Sequence, residues 1–292
     1  CLTISPLSLI RSRGSGDLIM LGLATPSLTG LPGLDLNLVI TMLLQYFMAS
    51  LRIGAFIISA PLFGARWLPL QVRIVLALTI TAVVAVQVPS IDPAIISTAA
   101  GVMMMLVEVA IGLTAGLVLT IWFSSVMLAG EKIAASAGLG FAAQVDPQTG
   151  GQTPVVSQTL YLFLTVLFLS LDGHLIALAT IMESYRILPI GGSLAPQVLI
   201  SAGINAAGTM FVAATIIMLP IAMVLLMINV AIGIITKSAP QLNLFSFGFP
   251  ISLLAVFLLL YLSTGGMGDS MAQLIDDSLA NLQTMIMEMP GG

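Results

Sequence analysis

Gly138-Leu-Gly-Phe-Ala-Ala-Gln-Val-Asp-Pro-Gln-Thr-Gly-Gly-Gln-Thr-Pro154 separates two strongly apolar stretches, one ending at Leu128 and the next beginning at Val155. Irregular backbone of this kind cannot face lipid, where no water satisfies its N–H and C=O groups. Within a bilayer it is tolerated only where protein or a water-filled cavity surrounds it. The segment therefore reads as lining or closing a passage rather than merely joining two helices, and that points to transport.

Composition places the chain in a membrane. Of its 292 residues 59% are hydrophobic and 7% charged, where a soluble domain carries roughly 25% charge; the mean hydropathy is +1.15. Eight basic and 12 acidic side chains leave a net charge of -4, too little positive charge for a nucleic-acid footprint. Cys1 is the sole cysteine, so neither an intrachain disulfide framework nor a thiolate metal cluster is available.

Crossing a hydrocarbon core ~30 Å thick takes about 20 apolar residues. Runs of that kind recur at Leu38–Leu62, Ile74–Val88 and Ile95–Leu128. They recur again at Val155–Leu171, with a continuation over Leu175–Met182, then at Val198–Thr236 and Phe247–Leu262. The third run is too long for one upright crossing and is expected to tilt or project. Pro220 is expected to bend or break its helix, since it lacks an N–H and crowds the preceding turn. Residues 1–38 read as a poorly ordered extension. The last residues, with Asp269, Asp276, Asp277 and Glu288, read as a short amphipathic helix at an interface.

Basic residues set the orientation. Arg66 and Arg73 lie between the first two runs and Lys237 before the last, which assigns both loops to the cytoplasmic side. Charges within apolar runs are functional candidates, because each costs at least ~2.5 kcal/mol when unpaired in lipid. Arg52, Glu108, Glu131, Lys132, Glu183 and Arg186 qualify. Glu183 and Arg186, three apart, share a helical face and can pair with each other. Arg52 has two candidate partners, Glu108 across the first and third runs or a group on another chain. Glu131 and Lys132 point in different directions and need separate partners, water or a subunit contact.

Gly112 and Gly116 form a G-x-x-x-G that lets helix backbones approach, within or between chains. Met103, Met104 and Met105 read as apolar filler. A single histidine, His174, rules out a two-histidine metal centre, and the phosphate-binding loop of nucleotide-driven pumps is missing. Neither an enzyme nor a cofactor-bearing site is expected, with no metal ligands assigned. His174 follows Asp172-Gly173 as a helix-start and turn cluster.

Ala129-Gly-Glu-Lys-Ile133, Gly138 through Pro147, Leu171-Asp-Gly-His174 and Tyr185-Arg-Ile-Leu-Pro-Ile-Gly191 together resemble the FliR family, the export-gate subunits of flagellar type III secretion. Arg52 with Ala60-Pro-Leu-Phe63 and Leu68-Pro69 adds to the likeness, as do Ser238-Ala-Pro-Gln-Leu-Asn243 and Gly248-Phe-Pro250.

The resemblance implies an all-α membrane protein, in which a FliP-like helical part (39–195) is followed by a FliQ-like helical hairpin (196–265) and an amphipathic tail (266–292). One such chain would assemble with five FliP and four FliQ homologues into a helical gate in the bacterial inner membrane, at the flagellar basal body. FlhB-like and FlhA-like export components would be further partners, and unfolded flagellar proteins the cargo. Residues 138–154 would plug the pore, drawing on Gly138, Gly140, Phe141, Gln144, Asp146, Pro147, Gly150 and Gly151. Phe141 would be the apolar stopper, excluding water and ions while the glycines let the backbone move aside. Gln144 stands where a second bulky apolar residue would strengthen the seal, which shifts sealing toward partner subunits. The competing reading is a self-contained secondary transporter whose Gly/Pro-interrupted segment is a broken helix that binds solute. A proton- or ion-coupled carrier is expected to place a carboxylate pair or an Asp at mid-membrane, whereas Asp146 falls in the loop and Glu108 stands alone.

Overall fold

The computed structural model describes residues 36–65, 67–89, 93–96, 98–138, 155–239 and 248–290. Arg66, Asp92 and the expected plug residues Gly140, Phe141, Gln144, Asp146, Pro147, Gly150 and Gly151 lie outside the described residues, as does nearly all of the expected N-terminal extension. The chain divides into two units, Cys1–Ile40 and Thr41–Gly292. Of the first, only residues 36–40, the opening turns of a helix, are described.

Helices account for the described elements: α1 (Leu36–Ser59), α2 (Leu70–Ala85), α3 (Pro93–Ile96), α4 (Ala99–Ser136), α5 (Val155–Ser170), α6 (Gly173–Ile187), α7 (Pro196–Ser238), α8 (Phe249–Leu262) and α9 (Thr264–Glu288). Three of them, α1, α4 and α7, are long and apolar enough to cross a membrane. The count rises to five if the bent pairs α5–α6 and α8–α9, each turned by 65°, are single spans. The second apolar run forms only 16 residues of helix, about 24 Å at 1.5 Å per residue, and so falls short of the hydrocarbon thickness.

Local chemistry sets several boundaries. The third apolar run is split at Thr98, whose side chain accepts from the Gly101 N–H at 3.4 Å and starts α4 afresh. From there α4 continues for 38 residues, through Glu131 and Lys132. The α5–α6 bend falls where Asp172 adopts φ 55, a left-handed conformation that stops one helix before Gly173 begins the next. Pro220 does not break α7, which runs for 43 residues. The ring sits on the exposed side, while the buried stripe of Ala214, Ile217, Ile221 and Leu225 continues past it.

α4 is the axle of the packing. Its most extensive neighbour is α7, followed by α5, and α9 also packs on it. On another side its backbone meets α1: a Cβ at Gly112 would overlap the Arg52 carbonyl, and one at Gly116 would overlap Ser59 and Ala60. Thr120 Oγ1 donates to the Ser59 carbonyl at 2.6 Å beside this crossing. The Gly-x-x-x-Gly pair is thus spent within the chain. The hairpin of α7 and α8 rests chiefly on α4 through α7, so in packing it is continuous with the preceding helices.

Candidate functional site

The segment 139–154 leaves and re-enters the described structure through a pinched stem. α4 stops because Gly138 takes φ 79, with Ala137 N–H bonded to the Ile133 carbonyl at 3.0 Å and Gly138 N–H to the Ala135 carbonyl at 3.0 Å. A left-handed glycine that returns its N–H to the last turn is a common helix stop. Two turns earlier Gly130 lies so close to α5 that a Cβ there would sit 2.5 Å from Ser157 Cα. Helices α4 and α5 are therefore held backbone to backbone near both ends of the segment. Of the expected plug residues, Gly138 is the described one, and it is the residue at which α4 stops.

A polar relay braces this stem from the hairpin. Asn229 on α7 donates through Nδ2 to the Ser136 carbonyl at 2.8 Å, and its Oδ1 accepts from Ser252 on α8 at 3.3 Å. One amide thus joins the last turn of α4 to both arms of the hairpin. Asn229 was not among the residues singled out from sequence, although a lone amide inside Ile217–Ile235 is a visible signal in a membrane helix.

A second polar centre lies beside the α1–α4 crossing. Arg52, 0% exposed, binds Glu108 with two bonds: Nε to Oε2 at 2.7 Å and Nη2 to Oε1 at 3.0 Å. Its Nη1 donates to Ser184 Oγ at 2.9 Å, and Nη2 donates to the Leu188 carbonyl at 3.0 Å. The guanidinium lies 4.3 Å from the ring centroid of Tyr185, whose hydroxyl donates to the Ala49 carbonyl at 2.6 Å. One cation therefore ties α1 to α4 and to the end of α6. Both oxygens of Glu108 are occupied, so the buried acid of the described residues is not open to a solute or a coupling ion.

The remaining candidates are scattered over the surface. Glu183 and Arg186 pair at 3.3 Å with side chains 50% and 70% exposed. Glu131 and Lys132 are both exposed near the end of α4, and Lys237 is exposed in the last turn of α7. Arg73 folds back to donate to the Ala65 carbonyl at 2.6 Å. His174 is half-buried at the α5–α6 bend.

Comparison with known proteins assigns the family. The profile of bacterial export proteins, family 1, matches residues 43–278, which include Arg52, Glu108, the 139–154 segment and Asn229. The flagellar biosynthetic protein FliR of Pectobacterium carotovorum subsp. carotovorum is 36% identical over 209 residues, covering 72% of this chain and 80% of that protein. The chain belongs to the FliR family of bacterial export proteins. FliR of Escherichia coli (strain K12) is 33% identical over 208 residues, 71% of this chain and 79% of its own. FliR of Bacillus subtilis (strain 168), at 28% identity, aligns over 231 residues, 77% and 88% respectively. FliR membership and the long apolar helices together make this a membrane protein of flagellar export.

Proposed function

We propose that this chain is a non-catalytic subunit of the flagellar type III export gate in the bacterial inner membrane, one copy per gate, with residues 138–154 closing the channel. Membership in the FliR family carries the proposal. The stem geometry supports it: α4 and α5 touch at Gly130 and Ser157, so a segment of 16 residues issues from a fixed base instead of a slack linker. In this reading partner subunits related to FliP and FliQ, five and four copies, supply most of the channel wall. Phe141 provides the apolar stopper and the flanking glycines its freedom to move. The division into a FliP-like part, 39–195, and a FliQ-like hairpin, 196–265, belongs to the same proposal, and Asn229 is then the joint between the two.

Two experiments test it. Native mass spectrometry of the chain co-expressed with the FliP and FliQ homologues of its own genome is expected to find it as a single copy in a defined assembly. A chain that ignores those partners would falsify the subunit reading. Deleting Gly140–Thr149 is expected to leave that assembly intact and make membranes leaky to small ions. An assembled deletion variant with normal ion tightness overturns the plug assignment alone.

A further inference from the structure

By length and hydropathy α8 and α9 together pass for one bent span. Their exposed surfaces differ in kind. α8 presents Leu254, Phe257, Leu258, Tyr261 and Leu262 outward, an apolar surface suited to lipid or protein. α9 presents Asp269, Asp276, Asp277 and Glu288, all exposed and spread over 20 residues of helix. No Lys, Arg or His follows Lys237 in the sequence, so α9 contains no cation to pair with them.

Two placements of α9 are costly. As the second half of a span it would put unpaired carboxylates into hydrocarbon, where each is costly even on the lenient insertion scale. Lying along the membrane surface, it would need a free apolar face to sink into the acyl chains. That face is already consumed: Met267, Met271, Leu274, Ile275, Leu279 and Leu282 are buried, chiefly against α6 with α4, α7 and α5 around them. Met287 is the one exposed large hydrophobic side chain of α9 among the described residues.

We infer that the hydrocarbon boundary falls at the α8–α9 break, and that α9 stands outside the lipid with its acidic face in water. The neighbouring helix agrees. α6 is the helix α9 packs on most extensively, and its last turns carry the exposed Glu183 and Arg186. The α6–α9 layer therefore has an aqueous face, and α9 is neither a span nor a surface-lying lipid anchor. The inference is independent of the plug assignment.

Thiol labelling tests it, since a maleimide reacts with the hydrated thiolate. Asp277→Cys and Asn281→Cys on α9, and Leu254→Cys and Leu258→Cys on α8, are made in the full chain on a Cys1→Ser background. Membrane vesicles opened to reagent on both sides are treated with a charged maleimide. Labelling at 277 and 281 is expected to be at least about tenfold faster than at 254 and 258. Rates at 277 and 281 as slow as those on α8 overturn the inference, whether lipid or protein covers the face. Ala280→Lys supplies a readout that needs no labelling. Its membrane-integrated yield is expected to match the parent, and a loss of tenfold or more places α9 in hydrocarbon.

Discussion

Two glutamate–arginine pairs, both touching α6, show how solvent changes the worth of one chemistry. Arg52 and Glu108 meet at 2.7 Å with side chains 0% and 1% exposed, and Arg52 also takes Ser184 and the Leu188 carbonyl from the end of α6. Glu183 and Arg186 meet at 3.3 Å on the outside of the same turns. Successive residues of a helix are turned by about 100°, so Ser184 and Tyr185 face inward while Glu183 and Arg186 face outward. Four consecutive residues thus serve both sides of one element. The inner pair has no water to replace a lost partner, whereas the outer pair does.

The comparison breaks most sharply at Arg52. Arg52→Ala leaves Glu108 buried and unpaired and is expected to destabilise the chain by about 3–5 kcal/mol, read as lost thermal stability in detergent. The double variant Arg52→Met/Glu108→Leu is expected to be more stable than either Arg52→Ala or Glu108→Ala, because no stranded charge remains. A double variant as unstable as the singles would show that the pair matters for more than charge balance. Gly116→Leu comes next. It forces α4 away from Ser59 and Ala60 at a cost of about 1–3 kcal/mol, visible in the same melts.

Asn229→Leu sharpens the comparison from the other side, because its polar bonds lie near the surface of the helices. Its expected cost is about 0.6 kcal/mol, typical of a side-chain bond between membrane helices. Yet it should loosen α4 from the hairpin and speed proteolysis between 139 and 154. Unchanged cleavage there would limit Asn229 to local packing. Smallest of all is Glu183→Ala, expected to cost less than about 0.5 kcal/mol and to show no difference from the parent in high salt.

The sequence made some of this legible and hid the rest for physical reasons. Apolar runs located most helices, since hydrocarbon thickness and hydropathy act over 20 residues at a time. Arg52 and Glu108 stood out because charge is rare in such runs. Ser184 and the Leu188 carbonyl did not, as a serine is common and a backbone oxygen carries no sequence signature. Of the bend or break expected at Pro220, the break does not occur: the missing N–H costs one helical bond, and the apolar stripe of Ala214, Ile217, Ile221 and Leu225 packs on both sides of it and holds α7 together. The tail looked like a short helix, but pairing with α6 extends it to 25 residues, a stabilisation that resides in the tertiary contact.

Leu194 and Pro290 form an isolated antiparallel bridge next to the Ala195–Met289 hydrogen bond, so residues nearly a hundred positions apart are stitched together beside the start of α7. That stitch is a matter of timing. α6 emerges from the ribosome long before its cover exists, and its α9-facing side stays bare until translation has passed residue 290. Until α9 is made and packs there, that side of α6 has no cover from within the chain, so a face built early is completed by residues nearly a hundred positions later.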